Sequence, residues 1–282
     1  MAHRRLGRRR PRPPGERDHS RPRSRLPRRP RLWQRLPRGP EGRPPRTDPR
    51  GRRLEEGTMK VMAIYGNPTR EGFVHGALDH VAQRLAATGA EVERLRLADA
   101  AIRDCVGCFQ CLRTGVCSIQ DDMSGIIERM RAADGFLTGA SVRNGYFPAL
   151  YKRFYERITY LLGFTRDLGG KHVLAIGAVG MATGKKHLRR QLMFDGFQTS
   201  PVAYLFFHVG IPTRLRVEDV AGRLDRAADR LATAIASHAP LPLSARLSGA
   251  INGFVMRQFM FKPNPGGVYD YIVQRWRDKG LM

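Results

Sequence analysis

From Met59 onward the apolar residues recur with two periods in alternation. Lys60 to Tyr65 is a short apolar run closed by Gly66, the pattern of a buried strand. Leu78, Val81, Ala82 and Leu85 then repeat at helical spacing up to a stop at Gly89. Val92, Leu95 and Leu97 predict a second strand, followed by a cysteine-bearing loop and a helix from about Asp122 with Ile126, Ile127 and Met130 inward. Phe136 to Ala140 predicts a third strand and Leu150 to Leu162 a helix. Lys171 to Gly177 predicts a fourth strand, with Leu188 to Phe194 in the helix after it. Val202 to Phe207 predicts the fifth, and Val220, Leu224, Ala227, Ala228 and Leu231 share one face of the last helix.

Five strands alternating with helices imply an α/β domain, a doubly wound five-stranded parallel sheet, because parallel neighbours need right-handed crossovers that cover both faces. Ligands of such sheets bind beyond the carboxyl ends of the strands, at the topological switch point. The loops after strands one, three and four are therefore where chemistry is expected. The domain is expected over 59–239, and 240–282 reads as a helical extension packing on the domain or on a partner subunit.

Composition separates the first 58 residues from this pattern. They hold 20 arginines, no lysine, six acidic residues and 11 of the 19 prolines, more than half of the net charge of +25. So little apolar surface cannot offset chain entropy, and the segment is expected to be disordered. Two readings stand for it: an Arg-rich arm for nucleic acid or an anionic surface, or a segment ahead of a true start at Met59. The absence of aromatic interleaving or a reader fold argues against nucleic acid. No apolar window is long enough for a membrane span and no signal-like apolar region opens the chain, so a cytoplasmic protein is expected.

Strand one leads into Gly66-Asn67-Pro68-Thr69-Arg70-Glu71-Gly72-Phe73-Val74 and directly into a helix. A strand, a small polar turn and a helix amino terminus gather free N–H groups and the positive dipole end around an anion, with Asn67 and Thr69 as side-chain donors. The segment is neither a Walker loop nor a Gly-x-Gly-x-x-Gly fingerprint, and a monophosphate suits it better. An ordinary strand-to-helix turn is the alternative.

All four cysteines fall in one loop: Cys105, Cys108 and Cys111 at two-residue spacing, and Cys117 after five more residues. A reducing compartment and such close spacing disfavour disulfides. Structural zinc sites draw cysteine pairs from separated segments, whereas repeated Cys-x-x-Cys steps are typical of iron–sulfur ligation. A [4Fe–4S] cluster, a zinc ion and a metal-free thiol loop all remain open. Asp121 and Asp122 read as a helix cap rather than a catalytic dyad. His172 and His187 have no carboxylate or serine partner at hand in the sequence, so a hydrolase triad is not supported.

The first loop resembles the Gly-Ser-Pro-Arg-x-x-Gly-Asn/Phe-Ser/Thr loop of flavodoxin-like NAD(P)H-dependent FMN reductases. That resemblance implies an FMN phosphate wrapped by Asn67, Thr69, Glu71, Gly72, Phe73 and Val74. Asn67 stands where the family usually has serine, and Val74 where it has a hydroxyl residue. The stretch Ser141-Val142-Arg143-Asn144-Gly145-Tyr146 before Leu150-Tyr151-Lys152-Arg153-Phe154 resembles the family's second flavin loop, with Arg143 placed to meet charge on the reduced ring. Ala178, Val179 and Gly180 match the third loop, whose small residues let a flat ring approach. The cysteine loop running into Asp121-Asp122-Met123 is similar to that of the iron–sulfur flavoproteins, which implies that Cys105, Cys108, Cys111 and Cys117 ligate a [4Fe–4S] cluster.

The resemblance covers about Met59 to Leu231. It implies NAD(P)H as electron donor, a quinone-like small molecule or a ferredoxin-like protein as acceptor, and a homodimer or homotetramer. A non-catalytic flavin or metal-thiolate sensor is the alternative of a different class.

Overall fold

The computed structural model describes residues 58–180, 184–194, 199–210, 215–261 and 267–282. The extension expected before Met59 lies outside the described residues, Thr58 excepted. Five parallel strands, β1 (Lys60–Tyr65), β2 (Glu91–Arg96), β3 (Gly135–Ser141), β4 (His172–Val179) and β5 (Ser200–His208), lie in the order β2-β1-β3-β4-β5. This is the flavodoxin-like arrangement, with its switch point between β1 and β3.

The pleat sends successive side chains to opposite faces. Met62 and Ile64 of β1, Phe136 of β3 and Val173 of β4 enter one core. Val61, Ala63, Leu137 and Leu174 enter the other. Burial on both faces is why these strands read as continuous apolar runs. The second core is closed by α1 (Phe73–Ala87) and α6 (Ala221–Ala236). These two helices are joined at their rims by His80–Asp225 at 2.8 Å and by a two-bond contact of Arg84 with Asp229.

The first core is covered by α3 (Met123–Ala132), α4 (Ala149–Gly163) and α5 (Lys185–Leu192), numbered after the short α2 (Gln110–Thr114). The tail adds α7 (Leu243–Val255), a π-helical turn (Met256–Phe261) and α8 (Asp270–Asp278). Met256, Phe261, Ile272 and Trp276 of the tail are buried in the same core as α3, α4 and α5. Trp276 donates from its indole to the Phe164 carbonyl at 2.6 Å, and Asp167 binds Arg275 and Lys279 at 2.7 and 2.8 Å.

Three details depart from expectation. Leu97 lies in a 3-10 turn after β2, α5 begins at Lys185 and ends before Phe194, and a short helix interrupts the cysteine loop. No helix among the described residues is long and apolar enough to cross a membrane.

Candidate functional site

The first loop leaves β1 at Gly66, whose N–H donates to the Gly139 carbonyl at 2.7 Å. A Cβ there would sit 2.6 Å from the Tyr151 ring and 2.8 Å from that carbonyl, so the close approach to β3 requires glycine. Asn67 Oδ1 accepts from both the backbone N–H and the hydroxyl of Ser141, at 2.9 and 3.0 Å, clamping the first loop to the end of β3. Thr69 donates its hydroxyl to the Glu71 carbonyl. Both side chains expected as phosphate donors therefore also work inside the protein. The Thr69 proton is spent on the loop, and Asn67 keeps its amide hydrogens.

Gly72 stands at the start of α1 with φ 107°, a conformation that penalises any side chain. Nothing lies within 4 Å of where its Cβ would be. No side chain caps α1, so its first-turn N–H groups and positive dipole end open onto this space. The Val74 side chain is buried in the core, leaving only its backbone for the loop, and Phe73 packs edge-on against Phe207.

Behind the loop lies a polar cluster drawn from β1, α1 and β2. Tyr65 donates to Asp79 at 2.7 Å, Arg94 pairs with Asp79 at 3.2 Å, and Arg96 lies 5.6 Å over the Tyr65 ring. Burial, helped by the charges of Arg96, Arg94 and Arg70, holds His75 below the ordinary imidazole range despite Asp79 beside it. Burial pushes the Tyr65 hydroxyl up. Both are neutral near pH 7; Arg94 pairs with Asp79, Arg70 with Asp99, and Arg96 lies over the Tyr65 ring, so three guanidinium groups gather around this cluster. Sequence reading missed this cluster because its members come from separate segments.

The second loop is a tight reversal. Arg143 and Tyr146 exchange backbone hydrogen bonds at 2.6 and 2.9 Å, with Asn144 and Gly145 between them at φ 47° and 81°. Two central residues at positive φ are the pattern of a type I′ turn, which Asn-Gly favours. Arg143 and Asn144 are exposed, and Tyr146 stacks on His187 with centroids 5.1 Å apart. Val142 N–H donates to the Ala178 carbonyl at 2.7 Å.

Ala178 and Val179 are the buried last residues of β4, and Gly180 is exposed with open space at its Cβ position. Gly184 approaches so closely that a Cβ would lie 2.3 Å from the Gly145 carbonyl, which ties the second loop to the third. Residues 181–183 of the third loop lie outside the described residues.

The cysteine loop is supported from three sides. Asp121 accepts from Arg103 N–H, from Met123 N–H and from the Arg157 guanidinium by two bonds of 2.7 and 3.0 Å. Asp122 accepts from Ala101 N–H instead of capping α3. A Cβ at Gly115 would be 2.5 Å from the Tyr271 ring of α8, and Tyr160 donates to the Gly115 carbonyl at 3.3 Å. Left-handed residues at Gly107, Phe109 and Gly115 bend the loop around α2.

All four thiols are free; Cys105 and Cys108 are exposed, and Cys111 and Cys117 half-buried. Burial first, then the negative charge of Cys117, Cys105 and Cys108, pushes the Cys111 thiol up to about 11. The hydroxyl of Ser118, 3.3 Å away, lowers that of Cys108. Among the described residues no three His, Cys, Asp or Glu side chains are close enough to hold a metal ion as arranged. The donor set is nevertheless chemically suited to a thiolate-ligated cluster, with four free thiols carried on one loop.

Fold and loops together define a flavodoxin-like protein with an open, uncapped helix start at its switch point. The model of the family described as NADPH-dependent FMN reductase matches residues 59–209, and the chain belongs to this family, on the iron–sulfur flavoprotein branch. An iron–sulfur flavoprotein of Methanocaldococcus jannaschii is 35% identical over 123 residues, covering 43% of this chain and 63% of that protein. Another, from Methanosarcina thermophila, is 30% identical over 141 residues, covering 49% and 72%. The chain thus spans somewhat under two thirds of the first relative's length. Among solved structures, an NADH:FMN oxidoreductase in its apo form superposes with TM-score 0.47 at 18% identity, over 67% of this chain and 94% of that one.

Proposed function

We propose that this chain is an NAD(P)H-dependent flavin oxidoreductase that holds FMN at the carboxyl ends of β1, β3 and β4. The observation that carries the reading is the uncapped start of α1 at Gly72, open in front and backed by the Arg94 and Arg96 cluster. An anion is what such a turn stabilises. The backbone from Asn67 to Gly72, with the first-turn amides of Phe73 and Val74, would hold the phosphate. The reversal from Ser141 to Tyr146 and the small residues Ala178, Val179 and Gly180 would flank the ring. The flavin supplies hydride and single-electron chemistry when bound. This chain's own residues bind and orient it. Asn67 sets the distance between the two loops through Ser141, and the exposed Arg143 offers positive charge at the second loop.

Cys105, Cys108, Cys111 and Cys117 would hold a [4Fe–4S] cluster, and the Arg157–Asp121 pair fixes the segment behind them. The names of the relatives support this reading. A quinone-like small molecule or a ferredoxin-like protein is the acceptor class that fits, with a homodimer or homotetramer in the cytoplasm as the working form. The test is the visible spectrum of anaerobically purified protein together with NAD(P)H oxidation in the presence of a quinone. Flavin absorbance that NADPH or NADH bleaches is expected. Protein that binds no FMN, or binds it and oxidises neither nucleotide, would overturn the enzyme reading.

A further inference from the structure

The helix α7 is built inside out. Its large apolar residues Leu243, Leu247, Ile251, Phe254 and Val255 are exposed, as is Phe259 in the π-helical turn; Leu243 reaches 77% and Phe259 70%. The side turned to the protein carries small groups. Gly253 is buried, and Arg166 donates to the Gly249 carbonyl at 2.6 Å while its guanidinium lies 4.7 Å from the Trp276 ring. A Cβ at Gly253 would be 2.8 Å from that guanidinium. The helix is thus held by its backbone and by glycines, and forgoes burial of its own apolar stripe. A contiguous exposed stripe of this kind marks a surface that something covers.

Charge selects what covers it. Between Asp229 and Asp270 the sequence has no acidic residue, while α7 carries Arg246 and the turn after it Arg257. Arg246 is exposed, between Leu243 and Leu247. Two copies of this face would bring like charges together, whereas an anionic surface complements them. From Leu243 to Phe259 the stripe runs about 24 Å at helical rise, too short and too charged to cross a bilayer but suited to lie along one. We propose that α7 and the turn after it form a membrane-surface element that inserts its apolar stripe into an anionic lipid interface. The segment lies beyond the residues matched by the family model, and the inference does not depend on the flavin reading.

The experiment is flotation of the full chain with vesicles of phosphatidylcholine alone or mixed with phosphatidylglycerol, at physiological and at high salt. The arginines ahead of Met59 attract anionic lipid by charge alone, and high salt screens that contribution. The fraction bound to mixed vesicles at high salt therefore reads the apolar stripe. The double variant Ile251→Asp, Phe254→Asp should lower it about tenfold or more, with an unchanged thermal melt because both side chains are exposed. In Phe254→Trp, emission should shift to the blue and be quenched by brominated lipids beyond the background of Trp33 and Trp276. Equal flotation of wild type and double variant would overturn the proposal. So would a wild type that ignores vesicles, whether it stays monomeric or forms a dimer that the double variant dissociates.

Discussion

Arg157 on α4 and Asp121 at the head of α3 form a two-bond ion pair whose side chains are only 2% and 3% exposed. The same guanidinium also donates to the Arg103 carbonyl, so one side chain joins both ends of the cysteine loop. Replacing Arg157 with methionine strands a buried carboxylate. The expected loss is about 3–5 kcal/mol, read from urea unfolding. Asp121→Asn added to Arg157→Met should recover part of it. A single variant within about 1 kcal/mol of wild type would show that water reaches the pair.

Gly72→Ala should weaken FMN binding through the backbone and not through a clash, since nothing lies within 4 Å of the added carbon. A left-handed φ of 107° costs an alanine roughly 1–2 kcal/mol, and relief of that strain would move the loop amides away from the position proposed for the phosphate. Fluorescence titration with FMN should show at least about a tenfold loss, against little change for His187→Ala. Equal effects of the two substitutions would mean that the phosphate sits elsewhere.

Any one of Cys105, Cys108, Cys111 and Cys117 changed to serine should sharply reduce iron and sulfide in anaerobically purified protein while leaving flavin content near wild type. The separation is expected because the cysteine loop shares no residue with the first loop. Zinc at one equivalent, or full NAD(P)H oxidation by the quadruple serine variant, would leave a flavin enzyme without a cluster.

Asp167 makes stability depend on acid. Burial alone would raise its pKa, but hydrogen bonds from Lys279 and Arg275, with the charges of Lys279 and Arg131, outweigh this and hold the carboxyl at about 2. A carboxylate depressed on folding stabilises fully above its unfolded value near 4, and that stabilisation is lost as pH falls toward about 2. Roughly 2 kcal/mol should disappear across this window. Urea midpoints measured from about pH 5 down to about pH 2.5 should fall more steeply for wild type than for Asp167→Asn. Parallel slopes would show that the three cations do not hold Asp167 ionised.

Much of this architecture is written in local patterns. β1, β3 and β4 are buried on both faces, so Val61 to Tyr65, Phe136 to Ala140 and Val173 to Ile176 announce themselves as apolar runs. The four-residue steps of Leu78, Ala82 and Ala86 do the same for α1. The first loop was legible in position but not in wiring: nothing in the sequence says that Asn67 is bonded to Ser141, 74 residues away. The Tyr65, Asp79, Arg94 and Arg96 cluster depends on the pairing of β1 with β2 and has no local signature. α8 escaped because Ile272 and Trp276 are its only buried residues, set among Asp270, Arg275, Arg277 and Asp278.

The contact of Tyr271 with Gly115 makes the cysteine loop depend on a helix that follows all five strands in sequence. Translation delivers the sheet and the loops at its strand ends well before α8. Until α8 docks, the four thiols sit on a segment without that backing. Full ordering of the loop therefore comes after the sheet has formed. A premature stop just before Tyr269 would leave the five strands intact and the thiols on an unsupported loop, exposed to oxidation or to scavenging metals.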